Sequence, residues 1–290
     1  MSRTVKTKKT QQFGKKRETG NPKSSGSPVR SKPTSKKTSA VWDQAAQWYD
    51  ALVGLKGSEY QQAVIFPGAV ELMQLRKGES VLDLACGQGV FSRYLSQKGM
   101  KVTGLDTSEE MIRFARSRSD KSIRFEHGDA QDSKALEGKV FDAVVCLLAL
   151  QNIESLLPVM HNVKRWLKPG GRFVMVTTHP CFRIPRQTHW GWDEQKKIQY
   201  RRVDLYGSES AIPILTPPFA QSKTFTVTYH RPLQSYFQAL AEAGLCVDGL
   251  EEWTSHKTSD PGKRSKAENR ARQEIPLFMA LRAVPAALKE

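Results

Sequence analysis

Short apolar runs alternate with amphipathic helical patterns along much of this chain, and this alternation restricts the fold more than any other feature. The runs read SVLDLA at 80–85, KVTGLD at 101–106, FDAVVCLLAL at 141–150 and RFVMVTTHP at 172–180. Strands that are almost wholly apolar are typical of parallel sheets covered by helices on both faces. Because crossover connections are right-handed, the sequence predicts a doubly wound α/β fold.

The first forty residues differ from the rest in charge and composition. The 290-residue chain has a net charge of +16, and residues 1–40 contribute twelve basic side chains and one acid, Glu18. This segment is rich in Lys, Ser, Thr, Gly and Pro, and such compositions bury too little apolar surface to become ordered. We predict a disordered basic tail over 1–40 and one domain over 41–290, which opens with helices over 41–53 and 60–75. The tail is an electrostatic arm for nucleic acid or an acidic partner, a solubilising segment, or an organellar transit peptide.

The predicted domain is close to neutral, because it carries 33 basic and 28 acidic residues. The isoelectric point of about 9.7 is therefore weak evidence for nucleic-acid binding by the domain itself. The sequence contains no run of 18 apolar residues and no secretory signal, so we expect neither a membrane span nor export. The four cysteines are scattered and form no CxxC pair, which predicts reduced thiols, a cytoplasmic location and no metal site.

Residues 183–222 break the alternation of strands and helices. They contain a charged stretch and the segment PILTPPF, and they are too long and irregular for a simple connection in a compact domain. We interpret them as an insertion or lid that faces the substrate and follows the fifth strand. Beyond them, the pattern predicts a helix over 231–245 and strands near 246–253 and 275–284, with a polar mobile loop between the two strands.

Candidate ligand-binding residues lie at the carboxyl ends of the first three strands, the edge at which open parallel sheets bind ligands. The first strand leads from Asp83 into the turn Ala85-Cys86-Gly87-Gln88-Gly89, whose glycines allow the backbone to approach a ligand closely. The second strand ends at Asp106, at a spacing suited to accepting hydrogen bonds from ribose hydroxyls. The third ends in Gly128-Asp129-Ala130, which can contact the amino edge of a nucleobase.

Two residues argue against a dinucleotide cofactor and hence against a nicotinamide oxidoreductase. Ser92 stands where the G-x-G-x-x-G pattern has its third glycine. The carboxylate of Asp83 disfavours a nearby pyrophosphate and suits a positively charged ligand. Three acids at successive strand ends, without a phosphate-binding lysine, therefore indicate a nucleoside that lacks phosphates or carries a cation.

Four segments together resemble the class I S-adenosylmethionine-dependent methyltransferases. Within that family they are most similar to the small-molecule branch that includes quinone-ring methyltransferases. The segments are VLDLACGQG, VTGLDTSEEMI, HGDA and WLKPGGRFVM. The resemblance covers residues 45–180 and, more loosely, 230–285. It implies a Rossmann-like methyltransferase fold, a seven-stranded, mostly parallel sheet with an antiparallel last strand. It also implies S-adenosyl-L-methionine as the cofactor, with S-adenosyl-L-homocysteine as the product.

The resemblance further implies roles for individual residues. Asp83 and the loop from Ala85 to Gly89 would hold the methionine part of the cofactor, and Asp106 would hold its ribose. The other cofactor candidates are Thr107 and Met111 beside the adenine, Asp129 and Ala130 at its edge, Leu147 near the sulfonium and Tyr49 over the cofactor. Core packing is an alternative role for Met111 and Tyr49.

The sequence indicates less clearly which residues bind and activate the methyl acceptor. Methyl transfer from a sulfonium is an in-line displacement, for which the enzyme aligns the nucleophile and excludes water. His179 is a candidate general base because it follows the fifth strand and because an unperturbed histidine has a pKa of about 6.5. His230 is a second candidate base, and Cys181 is a candidate nucleophile that lacks the second cysteine motif of cytosine-C5 methyltransferases. Candidates for binding the acceptor are Trp190, Trp192 and Tyr229.

Several functions remain open at this level. The leading hypothesis is methyl transfer to a small molecule through O, N or C attack. The chain lacks the [DN]-P-P-[YF] motif after the fourth strand, which counts against methylation of exocyclic amines. The alternatives are an RNA or ribosomal-protein methyltransferase, which holds phosphates with the tail at 1–40 and the basic loop at 257–272, and a non-catalytic protein that retained the cofactor pocket.

Overall fold

The structure is a computed structural model that describes residues 35–216 and 224–287, with side chains from residue 41 onward. The first helix, α1 (Ser35–Val53), begins before Val41, where the sequence predicts the domain to start. Most of the predicted tail, residues 1–34, lies outside the described residues, as do 217–223 of the predicted insertion. The disorder predicted for the tail stays a prediction.

A seven-stranded sheet is the centre of the fold. The strands of the chain are β1 (Ser80–Leu84), β2 (Lys101–Asp106), β3 (Arg124–His127), β4 (Phe141–Leu147), β5 (Leu167–Thr178), β6 (Thr188–Asp193), β7 (Ile198–Val203), β8 (Ser210–Leu215), β9 (Phe225–His230), β10 (Leu245–Trp253) and β11 (Phe278–Pro285). The order in the sheet is β10-β11-β5-β4-β1-β2-β3. The pairs among β1 to β5 are parallel, whereas β11 pairs antiparallel with both β5 and β10. The predicted Rossmann-like methyltransferase fold is therefore confirmed.

Helices cover both faces of this sheet. They are α2 (Phe66–Met73), preceded by a π-helical turn at Gln61–Ile65, α3 (Val90–Gln97), α4 (Glu109–Arg118), α5 (Leu156–Trp166), α6 (Leu233–Glu242) and α7 (Ser265–Glu274). Successive strand residues point to opposite faces, so Val81 packs with α2, α3 and α4 while Leu82 packs with α5 and α6. Both side chains are fully buried. The nearly continuous apolar strands of the sequence thus have one cause, burial on two faces.

The start of α4 shows how the sequence positions a strand end. Ser108 has an extended backbone, and its hydroxyl accepts a hydrogen bond from the N–H of Met111, which makes it the N-cap. Glu109 and Glu110 lie in the first turn and Arg116 in the last, as the helix dipole favours. The helix therefore begins directly after β2, and the Ser108 cap fixes the chain at that point.

The predicted irregular insertion is wrong in one respect, because its described residues form strands. β6 pairs antiparallel with β7, and β8 pairs antiparallel with β9. The carboxylate of Asp193 accepts hydrogen bonds from the N–H groups of Gln195 and Lys196, each at 2.9 Å, so it closes the turn between β6 and β7. Mixed aromatic and charged residues hid these strands, since both faces of a small hairpin remain partly exposed.

The loop predicted between the last two strands is also partly wrong. Residues 265–274 form α7, in which Ala271 is buried. The segment SKAENRARQE is polar but consists largely of good helix formers, so polarity alone was a poor guide. A second correction concerns KPGG at 168–171, which the sequence predicts as the stop of α5. The helix ends at Trp166, and KPGG belongs to β5.

Three further observations concern features expected from the sequence. No helix in the described part of the chain combines the length and hydropathy needed to cross a membrane. Within the same described residues, no cluster of three or more His, Cys, Asp or Glu side chains has the geometry of a metal site. All four cysteines have free thiols, two of them buried.

Candidate functional site

A cleft opens at the carboxyl edge of the sheet, where the strand order reverses between β1 and β4. Open α/β sheets bind ligands at this position because the connecting loops diverge there. Ten of the eleven predicted cofactor residues line the cleft. They are Tyr49, Asp83, Ala85, Gly87, Asp106, Thr107, Met111, Asp129, Ala130 and Leu147.

Asp106 joins the glycine loop to the start of α4. Its Oδ2 accepts a hydrogen bond from the N–H of Gly87 at 2.8 Å, and its Oδ1 accepts one from the N–H of Ser108 at 2.9 Å. Burial raises the pKa of this carboxyl above its usual value, and the two N–H groups oppose that shift. Each carboxylate oxygen can accept more than one hydrogen bond, so Asp106 can still accept hydrogen bonds from a ligand's hydroxyls.

Asp83 is almost completely buried at the base of the cleft, with 2% of its surface exposed. Its Oδ2 accepts a hydrogen bond from the hydroxyl of Ser92 at 2.6 Å. Burial raises the pKa of Asp83 to about 7, against the opposing effect of that hydrogen bond. Ser92, which the sequence marks only as a missing glycine, is therefore the partner of a buried acid.

Gly89 is the predicted cofactor residue that does not line the cleft. Its φ is +77°, and a Cβ at this position would lie 2.8 Å from the ring of Phe125 and 3.1 Å from Ala115. Gly87, with a φ of +55°, has open space beside it except for the ring of Tyr49 at 3.7 Å. The two glycines therefore differ in role, since Gly89 lets α3 pack closely and Gly87 faces the ligand.

The loop after β3 forms the side of the cleft opposite the glycine turn. The Oδ1 of Asp129 accepts a hydrogen bond from the N–H of Gln131 at 2.9 Å. The side-chain amide of Asn162, on α5, donates to the carbonyl of Ala130 at 2.8 Å. These bonds hold Asp129 and Ala130 at the cleft, while Met111 contributes a buried side chain from α4.

The helix α1 contributes Trp42 and Tyr49 to the cleft. Their rings pack edge to face, with centroids 5.9 Å apart. Burial, together with the negative charges of Asp106 and Asp83, raises the pKa of Tyr49 to about 12. The Tyr49 hydroxyl therefore stays protonated at neutral pH and can donate a hydrogen bond.

Two side-chain contacts hold α1 and the residues after it against the cofactor loops. The hydroxyl of Ser108 donates to the Oδ1 of Asp43 at 2.6 Å. The side-chain amide of Gln88 donates to the carbonyl of Gly54 at 2.6 Å. Movement of α1 and movement of the glycine loop are thus linked, because Gln88 belongs to that loop.

Sequence reasoning missed several lining residues. The segment after β4 contributes Leu148, Ala149, Asn152, Ile153 and Glu154 beyond the predicted Leu147. The rule that strand ends carry ligands could have found this segment, because it follows β4 directly. Others are Trp42, Gln61, Phe66 and Gln131; Trp42, Gln61 and Phe66 precede β1, where the sequence pointed only to Tyr49.

His179, the candidate base, lies directly after β5 but does not line the cleft. It is 1% exposed, its Nε2 is 2.6 Å from the Oε1 of Glu252, and its Nδ1 accepts from the N–H of Cys181 at 3.2 Å. Burial lowers its pKa, and the hydrogen bond to Glu252 opposes that effect. Both ring nitrogens already have protein partners, so neither is free to accept a proton from an acceptor molecule in this arrangement. The role of His179 as a base stays a prediction.

The other acceptor-side candidates also lie outside the lining of the cleft. His230 is buried, with its Nε2 2.8 Å from the carbonyl oxygen of Tyr206, and burial raises the pKa of the Cys181 thiol. The three aromatic candidates each have an arginine over the ring. The pairs are Trp190 with Arg183 and Arg201, Trp192 with Arg264, and Tyr229 with Arg231.

Residues 82–175 match the family model described as a methyltransferase domain. The chain carries a methyltransferase domain. This match begins in β1 and ends in β5, so it covers the strand-end acids and the glycine loop of the cleft. It ends before β6, and the two hairpins lie outside it.

Curated and solved relatives agree with this assignment. The chain is 32% identical over 145 residues to a demethylmenaquinone methyltransferase of Tropheryma whipplei, covering 48% of this chain and 59% of that protein. It is 38% identical over 118 residues to the Lactococcus lactis protein of the same name, covering 38% and 46%. A solved S-adenosylmethionine-dependent methyltransferase of Mesorhizobium loti is 27% identical, with a TM-score of 0.62, covering 79% of this chain and 99% of that one. The chain thus spans about half the length of the curated relatives that it matches.

The cleft suits S-adenosylmethionine, which the description of the Mesorhizobium loti structure names, on chemical grounds. Four carboxylates line the cleft, those of Asp83, Asp106, Asp129 and Glu154. The described residues of the lining include no Lys, Arg or His. An acidic lining favours a cationic ligand and disfavours phosphates. The cleft therefore fits a sulfonium nucleoside better than a dinucleotide.

Proposed function

We propose that this protein transfers the methyl group of S-adenosylmethionine to a small-molecule acceptor. The observation that carries the proposal is the convergence of Asp83, Asp106 and Asp129 on one cleft with the Gly87 turn. Each acid lies at or near the carboxyl end of a different strand, and only the folded sheet brings them together. The names of the curated relatives add support, since they describe methyl transfer to a demethylmenaquinone.

Different residues of the cleft bind different parts of the cofactor. S-adenosylmethionine supplies a methyl group on a positively charged sulfur. Asp106 accepts hydrogen bonds from the ribose hydroxyls, and Asp83 provides a negative charge beneath the methionine part. Trp42 and Tyr49 cover the ligand from α1 and exclude water, which strengthens every charge interaction inside the cleft.

The acceptor approaches from the side of β4. The wall there is apolar at Leu147, Leu148 and Ala149 and ends in the polar side chains of Asn152 and Glu154. An apolar wall with two polar groups suits a small organic molecule, because few groups then fix its orientation. Alignment of its reacting atom with the methyl group supplies a large part of the rate enhancement that a displacement of this kind needs.

A labelling experiment tests the proposal. Full-length protein is incubated with methyl-labelled S-adenosylmethionine and a cell extract, and the RNA, protein and small-molecule fractions are counted separately. We expect label in the small-molecule fraction, and its loss in the Asp106→Ala variant. A reduced demethylmenaquinone is the first purified acceptor to try. Label confined to RNA or protein would contradict the small-molecule proposal, and no label despite cofactor binding would indicate a non-catalytic protein.

A second candidate, methyl transfer to RNA, is favoured by one surface feature. A groove between the β6–β7 hairpin and α7 is lined by an indole ring and several cations. The groove residues concerned are Trp192, Lys196, Lys263, Lys266 and Arg270. Among the described residues, none of these four cations forms an ion pair. Cationic grooves with an exposed aromatic side chain suit single-stranded nucleic acids.

This candidate predicts RNA binding that weakens steeply with salt. Replacing Lys263 and Lys266 together with Gln is expected to reduce both the RNA affinity and its salt dependence. Lys98 and Lys101, at the end of α3 and the start of β2, provide a matched double substitution outside the groove. Equal RNA affinity in the two double variants would show that the groove does not bind RNA. Loss of RNA affinity only when residues 1–34 are deleted would assign RNA binding to the tail.

A further inference from the structure

Two arginines share one indole ring after β5. The guanidinium carbon of Arg183 lies 5.7 Å from the centroid of the Trp190 ring, and that of Arg201 lies 5.1 Å from it. Trp190 and Arg201 are directly paired across the β6–β7 hairpin, so their side chains project from the same face. Both arginines are partly buried. The hairpin thus gathers two positive charges around one flat ring.

Neither positive charge has an acidic partner within the described residues. Arg201 donates to the carbonyl of Phe182 at 3.0 Å and to the hydroxyl of Thr188 at 2.7 Å, which fixes its position. The guanidinium of Arg183 forms no hydrogen bond with any described residue, and its Nε is buried without a partner. Burial and the charge of Arg201 lower the pKa of Arg183 to about 10. Arg183 is thus a partly buried cation that packs on an indole ring but has no acidic partner among the described residues, and this arrangement suits an anion.

The location connects this cluster to the sheet edge that carries the cleft. The N–H of Arg183 donates to the carbonyl of His179 at 2.8 Å, so Arg183 lies one turn beyond the end of β5. Glu252, a carboxylate near the end of β5, bonds to His179. It therefore does not pair with Arg183, and no other acid among the described residues forms an ion pair with Arg183 or Arg201.

We infer that Arg183, Arg201 and Trp190 form a subsite for an anionic group, a carboxylate or a phosphate, on the methyl acceptor. Guanidinium groups bind such anions through paired hydrogen bonds. The indole ring can pack against a flat apolar part of the same molecule. This inference rests on the proposed function. It narrows the acceptor to a small organic anion, and so differs from the demethylmenaquinone named for the relatives, which has no carboxylate or phosphate. The subsite lies outside the part of the chain that matches the methyltransferase family model.

Anion binding can be measured without turnover. Full-length protein is titrated at constant ionic strength with benzoate and, separately, with inorganic phosphate, by calorimetry and by following the arginine Nε–H resonances. We expect saturable binding of at least one probe and a shift of the Arg183 resonance, identified by its absence from Arg183→Gln. Binding of benzoate alone would indicate a carboxylic acid, and binding of phosphate alone a phosphorylated acceptor.

Matched variants make the result specific. Arg183→Gln is expected to weaken probe binding by about tenfold or more. Arg183→Lys keeps the positive charge but loses the paired N–H donors of the guanidinium, so it should weaken binding less. Arg202→Gln is the control, because Arg202 lies on the opposite face of β7 and is exposed. Unfolding temperatures confirm that each variant is folded. Absence of saturable binding, or equal affinity in Arg183→Gln and the unmodified protein, would overturn the inference.

The affinity for S-adenosylmethionine is measured in parallel. It should be unchanged in Arg183→Gln, because Arg183 does not line the cofactor cleft. If the unmodified protein binds the anion but not S-adenosylmethionine, the proposed function fails while the anion site stands. If it binds the cofactor but neither anion, the subsite alone fails.

Discussion

The N–H of Gly87 donates to the carboxylate of Asp106 at 2.8 Å, and this bond ties the glycine turn after β1 to the end of β2. The same carboxylate receives the N–H of Ser108 at the start of α4. One side chain therefore organises three segments around the cleft. Its loss should affect ligand binding through both the missing acceptor and a looser glycine turn.

Asp106→Ala is expected to weaken S-adenosylmethionine binding by about tenfold or more, because two ribose hydroxyls lose a charged acceptor. Isothermal titration calorimetry checks this. Asp120→Ala is a matched control, since Asp120 also accepts a backbone hydrogen bond, from Ser122, but does not line the cleft. An affinity for the cofactor that is the same in both variants would remove Asp106 from the site.

The buried carboxyl of Asp83 should make stability depend on pH. The pKa of Asp83 is about 7 in the folded protein, whereas the usual value for an aspartic acid is 3.8. Between these values the folded state therefore holds a proton that the unfolded state has lost. The free energy of unfolding should therefore fall as pH rises from about 4 to about 7, by at most about 1.4 kcal/mol per pH unit from this group. Urea unfolding at several pH values measures the slope, and Asp83→Asn should remove this contribution.

The same group should couple cofactor binding to proton release. A positively charged ligand favours the ionised form of Asp83, so affinity for S-adenosylmethionine should increase as pH rises through about 7. Calorimetry in two buffers with different ionisation enthalpies reports the proton released. Asp83→Asn should bind more weakly and without this pH dependence; an unchanged pH profile in that variant would assign the proton to another group.

Gly89 and Gly78 provide a matched pair for the glycine turn. Both have positive φ, but a Cβ on Gly89 would meet Phe125 at 2.8 Å, whereas Gly78 has open space around it. Gly89→Ala is expected to lower the free energy of unfolding by about 2–4 kcal/mol, through backbone strain and overpacking. Gly78→Ala should cost about 1 kcal/mol, from backbone strain alone. Denaturant unfolding measures both, and equal losses would contradict the packing role of Gly89.

Arg231 should act as a positioning residue for the segment after β4. It is 6% exposed, and it donates to the carbonyls of Ile153, at 2.7 Å, and Glu154. Arg231→Met is expected to cost about 2–4 kcal/mol of stability, because buried carbonyls lose charged donors. Arg202→Met, which breaks an exposed pair with Asp204, should cost less than about 1 kcal/mol.

If Arg231 had only a structural role, Arg231→Met would keep its kcat and KM at temperatures at which the variant is folded. We expect instead a lower kcat with a smaller change in the KM for S-adenosylmethionine, since Ile153 and Glu154 line the acceptor side of the cleft. Arg231→Lys should recover part of the kcat. Unchanged kinetics in folded Arg231→Met would restrict the residue to a stabilising role.

The fold was largely predictable because its strands are buried on both faces. Such strands are continuous apolar runs in the sequence, as in FDAVVC, and they stand out from the helices between them. The β6–β7 hairpin was not predictable in this way, because Trp190, Arg201 and their neighbours lie on a small sheet that is partly exposed. Helix α7 was missed for a related reason, since it buries little apolar surface.

The candidate site divides along similar lines. Asp83, Asp106 and Asp129 were predictable because the ends of parallel strands meet at one edge. The partnership of Ser92 with Asp83 was not, since a hydrogen bond between a strand and a helix depends on their packing. His179 shows the limit of the strand-end rule, because a residue can end a strand at the right edge and still turn away from the cleft.

The sequence by itself determined the alternation of buried strands and helices over β1 to β5, the glycine turn, and the acids at the ends of β1, β2 and β3. These features are local, because they depend on side-chain period and on backbone conformation within a few residues. The tertiary structure decided which distant residues share a site: it brought Trp42 and Tyr49 to the cleft that contains the glycine turn, engaged both nitrogens of His179, and left Arg183 without an acidic partner among the described residues. Those outcomes depend on packing between segments far apart in the chain, and no local pattern encodes the distances involved.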